Sequence, residues 1–306
     1  MSLTSLKKLS STAAILLLAW VVYLYRLVPH EKAPFTKAVD QVEQITLSQA
    51  DRVLTLRRES GQWKVGLAGA PSYAADAELV RPLLSSLKGL QVEEEITDRA
   101  DRAADYDITA ETGIQVRLLD ARQSNLAEGI FGKQAPDISH IYFRYVDKPN
   151  VYLARGMIRG DLGRVELNFW RSRQLIDIPE TKIQNIVIEG KGFKTELVRV
   201  STDVWTLNGK SIDLVPVNSL VGTLAHLRVD DFIDPAADPK LTYDSLTYAR
   251  VGIKGEGASA ELRLGALDAK SKRYPISVGK DQGLAWLSEF STKAILKKPS
   301  DFKTKK

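Results

Sequence analysis

Residues 83 to 107 align with residues 220 to 244 at a constant offset of 137 and without a gap. Self-similarity of this kind restricts a chain to two copies of one supersecondary plan. Leu83, Leu87, Leu90, Val92, Ile96, Ala100, Asp101, Tyr106 and Asp107 recur as Leu220, Leu224, Leu227, Val229, Ile233, Ala237, Asp238, Tyr243 and Asp244. Unrelated segments of average composition would share roughly one or two such positions. Upstream, Ile45 precedes Trp63 by the same spacing that separates Val187 from Trp205; downstream, Ile114-Gln115-Val116 matches Val251-Gly252-Ile253. The copies therefore occupy residues 41–180 and 181–302, with the seam at Pro179-Glu180.

Each copy reads as an α+β unit. Two or three strands come first, with alternating polarity and turns at Ser60-Gly61 and Asn208-Gly209. A helix follows. Leu83, Leu84, Leu87 and Leu90 form one apolar stripe at helical spacing, as do Leu220, Val221, Leu224 and Leu227. Burying four such side chains contributes roughly 6–12 kcal/mol of gross transfer energy. Pro82 lies inside the first helix, which implies a kink or a late start. Further strands are expected at 113–119, 126–132, 139–146 and 150–154, and again at 249–254, 259–264, 273–278 and 283–287. The expectation is a mostly antiparallel sheet with one main packed helix, made twice, with Trp63 and Trp205 in the two cores.

The repeats are preceded by an apolar run. Leu9 to Tyr25 carries no charge, and extension to Val28 gives the length of a membrane span if Arg26 snorkels. Trp20, Tyr23 and Tyr25 stand where an interfacial belt belongs, and Pro29 stops the helix. Lys7 and Lys8 put the N-terminus in the cytoplasm. The bulky residues after the run lack the small-residue pattern of a cleaved signal. Residues 1–30 are thus expected to be a cytoplasmic stub and a single transmembrane anchor, with the remainder extracytoplasmic.

Composition narrows the chemistry. The net charge is +5, but Lys and Arg are scattered, so a nucleic-acid stripe is not indicated. One small cluster, Lys297, Lys298, Lys303, Lys305 and Lys306, reads as a solvated tail, with contact to anionic lipid as the alternative. Cysteine is absent, which excludes disulfides, thiolate metal sites and a Cys nucleophile. The histidines are His30, His140 and His226. Only His140, three residues after Asp137, offers a start for a metal or general-base site, and it is a weak one. Glu93-Glu94-Glu95 and Asp230-Asp231 occupy matching places and read as solvated edges rather than a calcium or acid–base pair. Gly190-Lys191-Gly192 and Gly255-Glu256-Gly257 lack the context of a phosphate loop. The sequence therefore assigns no catalytic, cofactor-binding or metal-binding residue, and leaves the binding residues open.

A family resemblance rests on the order of these parts. A Trp-ending hairpin is followed by Leu83-Leu84-Ser85-Ser86-Leu87-Lys88-Gly89-Leu90, then Ala104-Asp105-Tyr106-Asp107-Ile108, a strand from Gly113 to Leu119, Val151-Tyr152-Leu153, and Trp170-Arg171-Ser172-Arg173-Gln174-Leu175-Ile176. This order resembles the bacterial membrane-anchored domain-of-unknown-function family 4340. Its usual Tyr-Gly-Leu reads Tyr106-Asp107-Ile108 here. The resemblance implies one N-terminal anchor and genes beside ABC-transporter permeases and auxiliary components like those of gliding-motility export systems.

The expected function is a non-enzymatic, membrane-anchored accessory or binding subunit of an envelope complex of the ABC-transporter-associated kind. The expected partners are the membrane and a membrane protein such as a transporter or its auxiliary subunit, with no nucleic acid and no cofactor. The alternatives are a periplasmic glycan- or lipid-binding module, using aromatics such as Tyr142, Tyr145 and Trp286, and, least favoured, a hydrolase built on Asp137 and His140 or the acidic clusters.

Overall fold

A computed structural model describes residues 32–234 and 239–304. The expected anchor and His30 lie outside these residues. Among the described residues no helix is long and apolar enough to cross a membrane.

Among the described residues eighteen strands form two sheets of nine. The first contains β1 (Gln44–Gln49), β2 (Arg52–Glu59), β3 (Gln62–Leu67), β4 (Tyr73–Ala74), β5 (Gln91–Thr97), β6 (Ile114–Leu119), β7 (Asn125–Gln134), β8 (His140–Arg144) and β9 (Val151–Arg155). The second contains β10 (Ile183–Gly190), β11 (Phe193–Ser201), β12 (Val204–Leu207), β13 (Lys210–Ser211), β14 (Asp231–Phe232), β15 (Ala249–Gly255), β16 (Ala258–Leu264), β17 (Arg273–Ser277) and β18 (Ala285–Ser288). Their orders are β4-β3-β2-β1-β6-β7-β8-β9-β5 and β13-β12-β11-β10-β15-β16-β17-β18-β14, so one permutation is used twice. The α-helices among the described residues are α1 (Thr36–Val39), α2 (Ala77–Gly89), α3 (Leu167–Trp170), α4 (Leu214–Ala225) and α5 (Glu289–Ile295).

Register repeats as well as order. Ile45 stands between Leu56 and Leu118, and Ile186 stands between Leu197 and Ile253. All six are buried. Because side chains alternate across a strand, a one-residue slip would expel such a row into water. The next row is Leu47, Leu54 and Val116 in the first sheet, and Ile188, Thr195 and Val251 in the second. Thr195 is fully buried there and donates its hydroxyl to the carbonyl of Lys297 at 2.8 Å.

The helix stripes are where the apolar spacing put them, except that Leu90 and Leu227, both buried, lie just beyond the ends of α2 and α4. Val80, Leu83 and Leu87 are buried on α2, and Val217, Leu220, Val221, Leu224 and Ala225 on α4. Leu84 is only half-buried. Of the two expectations the late start fails, since α2 begins at Ala77 and runs through Pro82. The hydrogen bond that Pro82 forfeits is the one to the Glu78 carbonyl, and both residues are exposed. Trp205 is buried, but Trp63 is only half-buried, so the second copy alone uses this tryptophan as full core.

Two compact units result. One holds the described residues up to Arg58 together with Glu78–Val165; the other holds Glu59–Ala77 with residues from Glu166 onward. In the second unit the segment after α3 is zipped on both sides. Ser172 donates to the Ala74 carbonyl at 2.8 Å and Trp170 accepts from Asp76 at 2.8 Å, while Leu175 donates to Leu227 at 2.8 Å and Val229 to Arg173 at 2.9 Å. The C-terminal residues expected to be a solvated tail are tied down as far as Thr304. Asp213 donates to the Lys303 carbonyl at 3.0 Å, and Ile212 bridges Thr304.

The Tyr-Gly-Leu departure has a backbone explanation. Asp107 closes a 3₁₀ turn with φ 54° and ψ 40°, the left-handed region that glycine enters freely and that Asp tolerates better than most L-residues.

Candidate functional site

In the first unit the turn between β7 and β8 presents Ile138, which is 76% exposed and has φ 57°. A β-branched residue in the left-handed region is a genuine outlier and persists only when its surroundings impose it. Those surroundings are visible. Ile138 donates to the Ala135 carbonyl at 3.0 Å. Asp137 Oδ1 accepts from the backbone of Ser139 at 3.2 Å and of His140 at 3.1 Å. Gln134 Nε2 donates to the carbonyls of Ile138 at 3.0 Å and His140 at 2.8 Å. The Oε1 of the same amide accepts from the backbone of Arg159 at 2.6 Å. Gln134 thus holds together two loops at one end of the sheet, and the second carries another exposed isoleucine, Ile158.

His140 begins β8 at the foot of this turn. Its Nδ1 meets Asp137 Oδ2, with Ser139 Oγ at 3.1 Å on the same nitrogen. Its Nε2 lies 3.0 Å from Glu93 Oε2 on β5. Arg155 of β9 donates its Nε to Glu93 Oε1 at 2.8 Å and adds a second contact through Nη2. Asn150 donates to Glu95 at 2.9 Å. β5 pairs with β9, with register shifts on both sides of Glu94 and Glu95, so these side chains fasten a strand whose ladder is irregular.

The charges follow from those contacts. His140 is held above the usual imidazole range by Asp137 and then Glu93, against a smaller opposing effect of burial. Glu93 is lowered first by Arg155 and then by His140, and Asp137 is lowered first by His140. A ring with a carboxylate on each nitrogen is a charge pin. A Ser–His–Asp triad needs one nitrogen on the acid and the other on the nucleophile, whereas here Ser139 and Asp137 share Nδ1 and Nε2 faces a second acid. Among the described residues no group of three or more His, Cys, Asp or Glu is arranged to hold a metal ion.

The structure thus joins His140, Asp137 and Glu93, which sequence spacing had left as separate ideas. Glu93 is exposed on β5, the edge strand that follows α2, as the solvated-edge reading had it, and its carboxylate is engaged by His140 and Arg155. Asp231 likewise lies in β14, opposite Trp286. His226 caps the end of α4, exposed, and comes no nearer than 4.0 Å to Glu180. The aromatics proposed for stacking on sugars are half-buried and each already has a neighbour on its ring. Tyr142 packs on Tyr106 at 4.7 Å, Tyr145 on Phe143 at 4.9 Å, and Trp286 carries the Arg273 guanidinium at 5.2 Å. Gly190-Lys191-Gly192 and Gly255-Glu256-Gly257 are the β10–β11 and β15–β16 hairpin turns, which accounts for positive φ at Gly192 and Gly257.

Sequence reasoning missed Arg171 in the second unit. It is 7% exposed, and its guanidinium lies 3.8 Å from the Tyr73 ring centroid and 3.6 Å from that of Phe232. Nη2 donates to the Gln282 carbonyl at 3.0 Å and Nη1 reaches Asn168 Oδ1 at 3.4 Å, while the buried Nε has no partner. No described carboxylate pairs with it. Burial pushes its titration down to about 10, which leaves it cationic at neutral pH. The only sequence signal was its place in Trp170-Arg171-Ser172-Arg173-Gln174-Leu175-Ile176, the segment zipped on both sides.

A family model described as a domain of unknown function, DUF4340, matches residues 63–246. The match starts at Trp63 and takes in α2, the Arg171 segment and α4. No curated protein and no solved structure matches the chain.

Proposed function

The chain belongs to the DUF4340 family, and on that premise we propose that it is a non-enzymatic accessory subunit, anchored by residues 1–30 in a bacterial inner membrane, whose extracytoplasmic body docks on a membrane protein of the ABC-transporter type or its auxiliary subunit. The observation that carries this reading is the Ile138 turn. Five hydrogen bonds from Asp137, Gln134 and Ala135 hold an exposed apolar side chain in an unfavourable backbone conformation, with Ile158 presented from the loop that Gln134 also binds. Such strain recurs where a residue is presented to a partner, and two exposed isoleucines suit the apolar centre of an interface.

Chain length supports a partner close to the bilayer. Val92 donates to the Lys32 carbonyl at 2.7 Å, so Lys32 is fixed to β5. From Val28, where the apolar run ends, to Lys32 the chain spans at most about 14 Å. Phe35, fully buried and 5.8 Å from Phe131, seats the next residues in the first unit. On this reading the first unit lies near the end of the anchor.

The test is site-specific photocrosslinking in cells. A photoreactive residue replacing Ile138 in the full-length chain is expected to give adducts with a transporter subunit by mass spectrometry, and the same residue replacing Val200, also exposed, is expected to give none. Failure to recover any membrane protein from position 138, or an active cytosolic reporter at the C-terminus, rejects the reading.

One observation favours a second reading, a glycan-binding module. An open groove of about 400 Å³ is lined by Glu189, Lys191, Thr247, Tyr248 and Arg250, with Tyr248 38% exposed and backed by Tyr274 at 5.6 Å. Retention of the protein on purified cell-wall material, lost in Tyr248→Ala, would favour that reading.

A further inference from the structure

We propose that His140 is a proton-operated coupling between the Ile138 turn and β5, the edge strand to which the tether is fastened. The inference rests on the reading of that turn as a docking element, and it assigns the regulation of the same site.

An imidazolium has two N–H donors and a neutral imidazole has one. His140 has a carboxylate oxygen on each nitrogen: Asp137 from the turn on Nδ1, and Glu93 from β5 on Nε2 at 3.0 Å. Only the charged ring can donate to both. When the ring is neutral, a lone pair must face one carboxylate.

Which contact fails is decided by the remaining partners. Glu93 keeps Arg155 on its other oxygen, at 2.8 Å from Nε. Asp137 has no other cation, since its remaining contacts are the backbone N–H groups of Ser139 and His140 and the Ser139 side chain. The single proton therefore stays on Nδ1 with Asp137, and the contact to Glu93 is the one lost. Other groups near the ring do not replace it. The Ser139 hydroxyl is on the Nδ1 side, and burial pushes the Tyr142 phenol up, so that it stays neutral throughout the imidazole range.

The position of Glu93 gives the loss its consequence. Glu93 sits at a register shift between Val92 and Glu94, so the β5–β9 ladder does not secure it. Val92, the residue before it, is the donor to Lys32. With a charged His140 the turn, the edge strand and the tether attachment form one block. With a neutral ring the turn stays folded on Asp137 and Gln134, while β5 is held at Glu93 by Arg155 alone. In acid the docking surface is preorganised relative to the membrane; toward alkaline pH the two parts move independently, and preorganisation is what a binding surface loses first.

Amide hydrogen exchange on the full-length protein in detergent tests this. After correction for the intrinsic exchange rate, protection of residues 91–97 should fall by roughly threefold to tenfold as pH rises through the imidazole transition, the size of one charge-assisted hydrogen bond at a part-exposed site. The fall should be absent in two variants for opposite reasons. His140→Arg, with permanent charge and several donors, should stay protected, and His140→Gln, with one donor group, should stay unprotected. Protection of β5 that ignores pH in the natural chain, or that titrates unchanged in His140→Gln, overturns the proposal. Photocrosslinking at Ile138 over the same pH range separates the two readings. Adducts that weaken as β5 loosens support both, whereas adducts absent at every pH reject the docking role and leave the exchange result to decide the coupling.

Discussion

At one edge of the first sheet, β5 lies along β9 for seven residues and is fastened from the solvent side: Glu93 by His140 and Arg155, Glu95 by Asn150. At the matching edge of the second sheet, β14 is two residues long and is fastened from within, by Phe232 stacked on the buried guanidinium of Arg171. By register, His140 corresponds to Arg273, since each begins the strand that pairs with the sheet's penultimate one, and Arg273 there lies over Trp286 rather than between acids. Glu95 aligns with Phe232 at the repeat offset. Duplication has kept the strand permutation and the buried rows, which burial enforces, and has let the edges diverge, where few core contacts constrain them. One edge is now held by exposed charges that protons and salt can reach, and the other by a stacked cation that they cannot.

The largest expected effect breaks the second edge. Arg171→Ala removes two stacked faces and leaves the Gln282 carbonyl without its donor. Desolvated cation–π contacts reach about 2 kcal/mol each, partly offset by relief from burying an uncompensated charge, so the net loss should be about 2–4 kcal/mol. Arg171→Met keeps most of the packing and discards the charge, and should cost less than half as much. Equilibrium denaturation followed by tryptophan fluorescence reads both, because Trp170 is adjacent. Equal losses in the two variants would show that the charge, and not the packing, holds β14.

The next effect belongs to the first edge and is one of conditions. The raised His140 contributes stability that is complete below the ordinary imidazole value of about 6.5 and is lost as pH rises through the raised one. The lowered Glu93 and Asp137 contribute above the ordinary carboxylate range and lose that contribution as pH falls through their lowered values. Protection of β5 should therefore peak between the two. Salt at about 1 M, where screening acts within roughly 3 Å, should weaken this edge and leave the Phe232 segment unchanged. Equal salt sensitivity at the two edges would remove the contrast.

These differences also mark what the sequence could tell. Strands at 113–119 and 249–254 were legible because their outward and inward residues alternate. The stripes of α2 and α4 were legible because four apolar residues fall on one face. The repeat itself was legible because the core rows kept their identities. The meeting of His140 with Glu93, 47 residues earlier, was hidden, since it needs β5 to cross back beside β9, and no local pattern encodes that crossing. Arg171 was hidden for a different reason. Arginine is read as surface unless a carboxylate accompanies it, and here two rings do that work instead. Pro82 pointed to a late start, whereas α2 starts at Ala77 and carries Pro82 on its exposed face.

The smallest effect tests how far the copies have parted at a place where their letters agree. Tyr106-Asp107 and Tyr243-Asp244 are identical pairs at the repeat offset, but Asp107 is left-handed at φ 54°, whereas Asp244 lies inside a 3₁₀ turn and meets Lys280 at 2.9 Å and Arg263 at 3.7 Å. Asp107→Gly relieves a backbone penalty that an L-residue pays in that region, and the greater freedom of glycine in the unfolded chain takes some of it back. The net should be a gain of about 0.5 kcal/mol, within the range known for matching residue to backbone. Asp244→Gly has no such strain to relieve. It loses two cations' partner and adds unfolded-state freedom, so its effect should be of opposite sign. Thermal melts of the two variants measured side by side decide the matter, and a loss in both would mean that Asp107 holds its turn by side-chain contact rather than at the expense of its backbone.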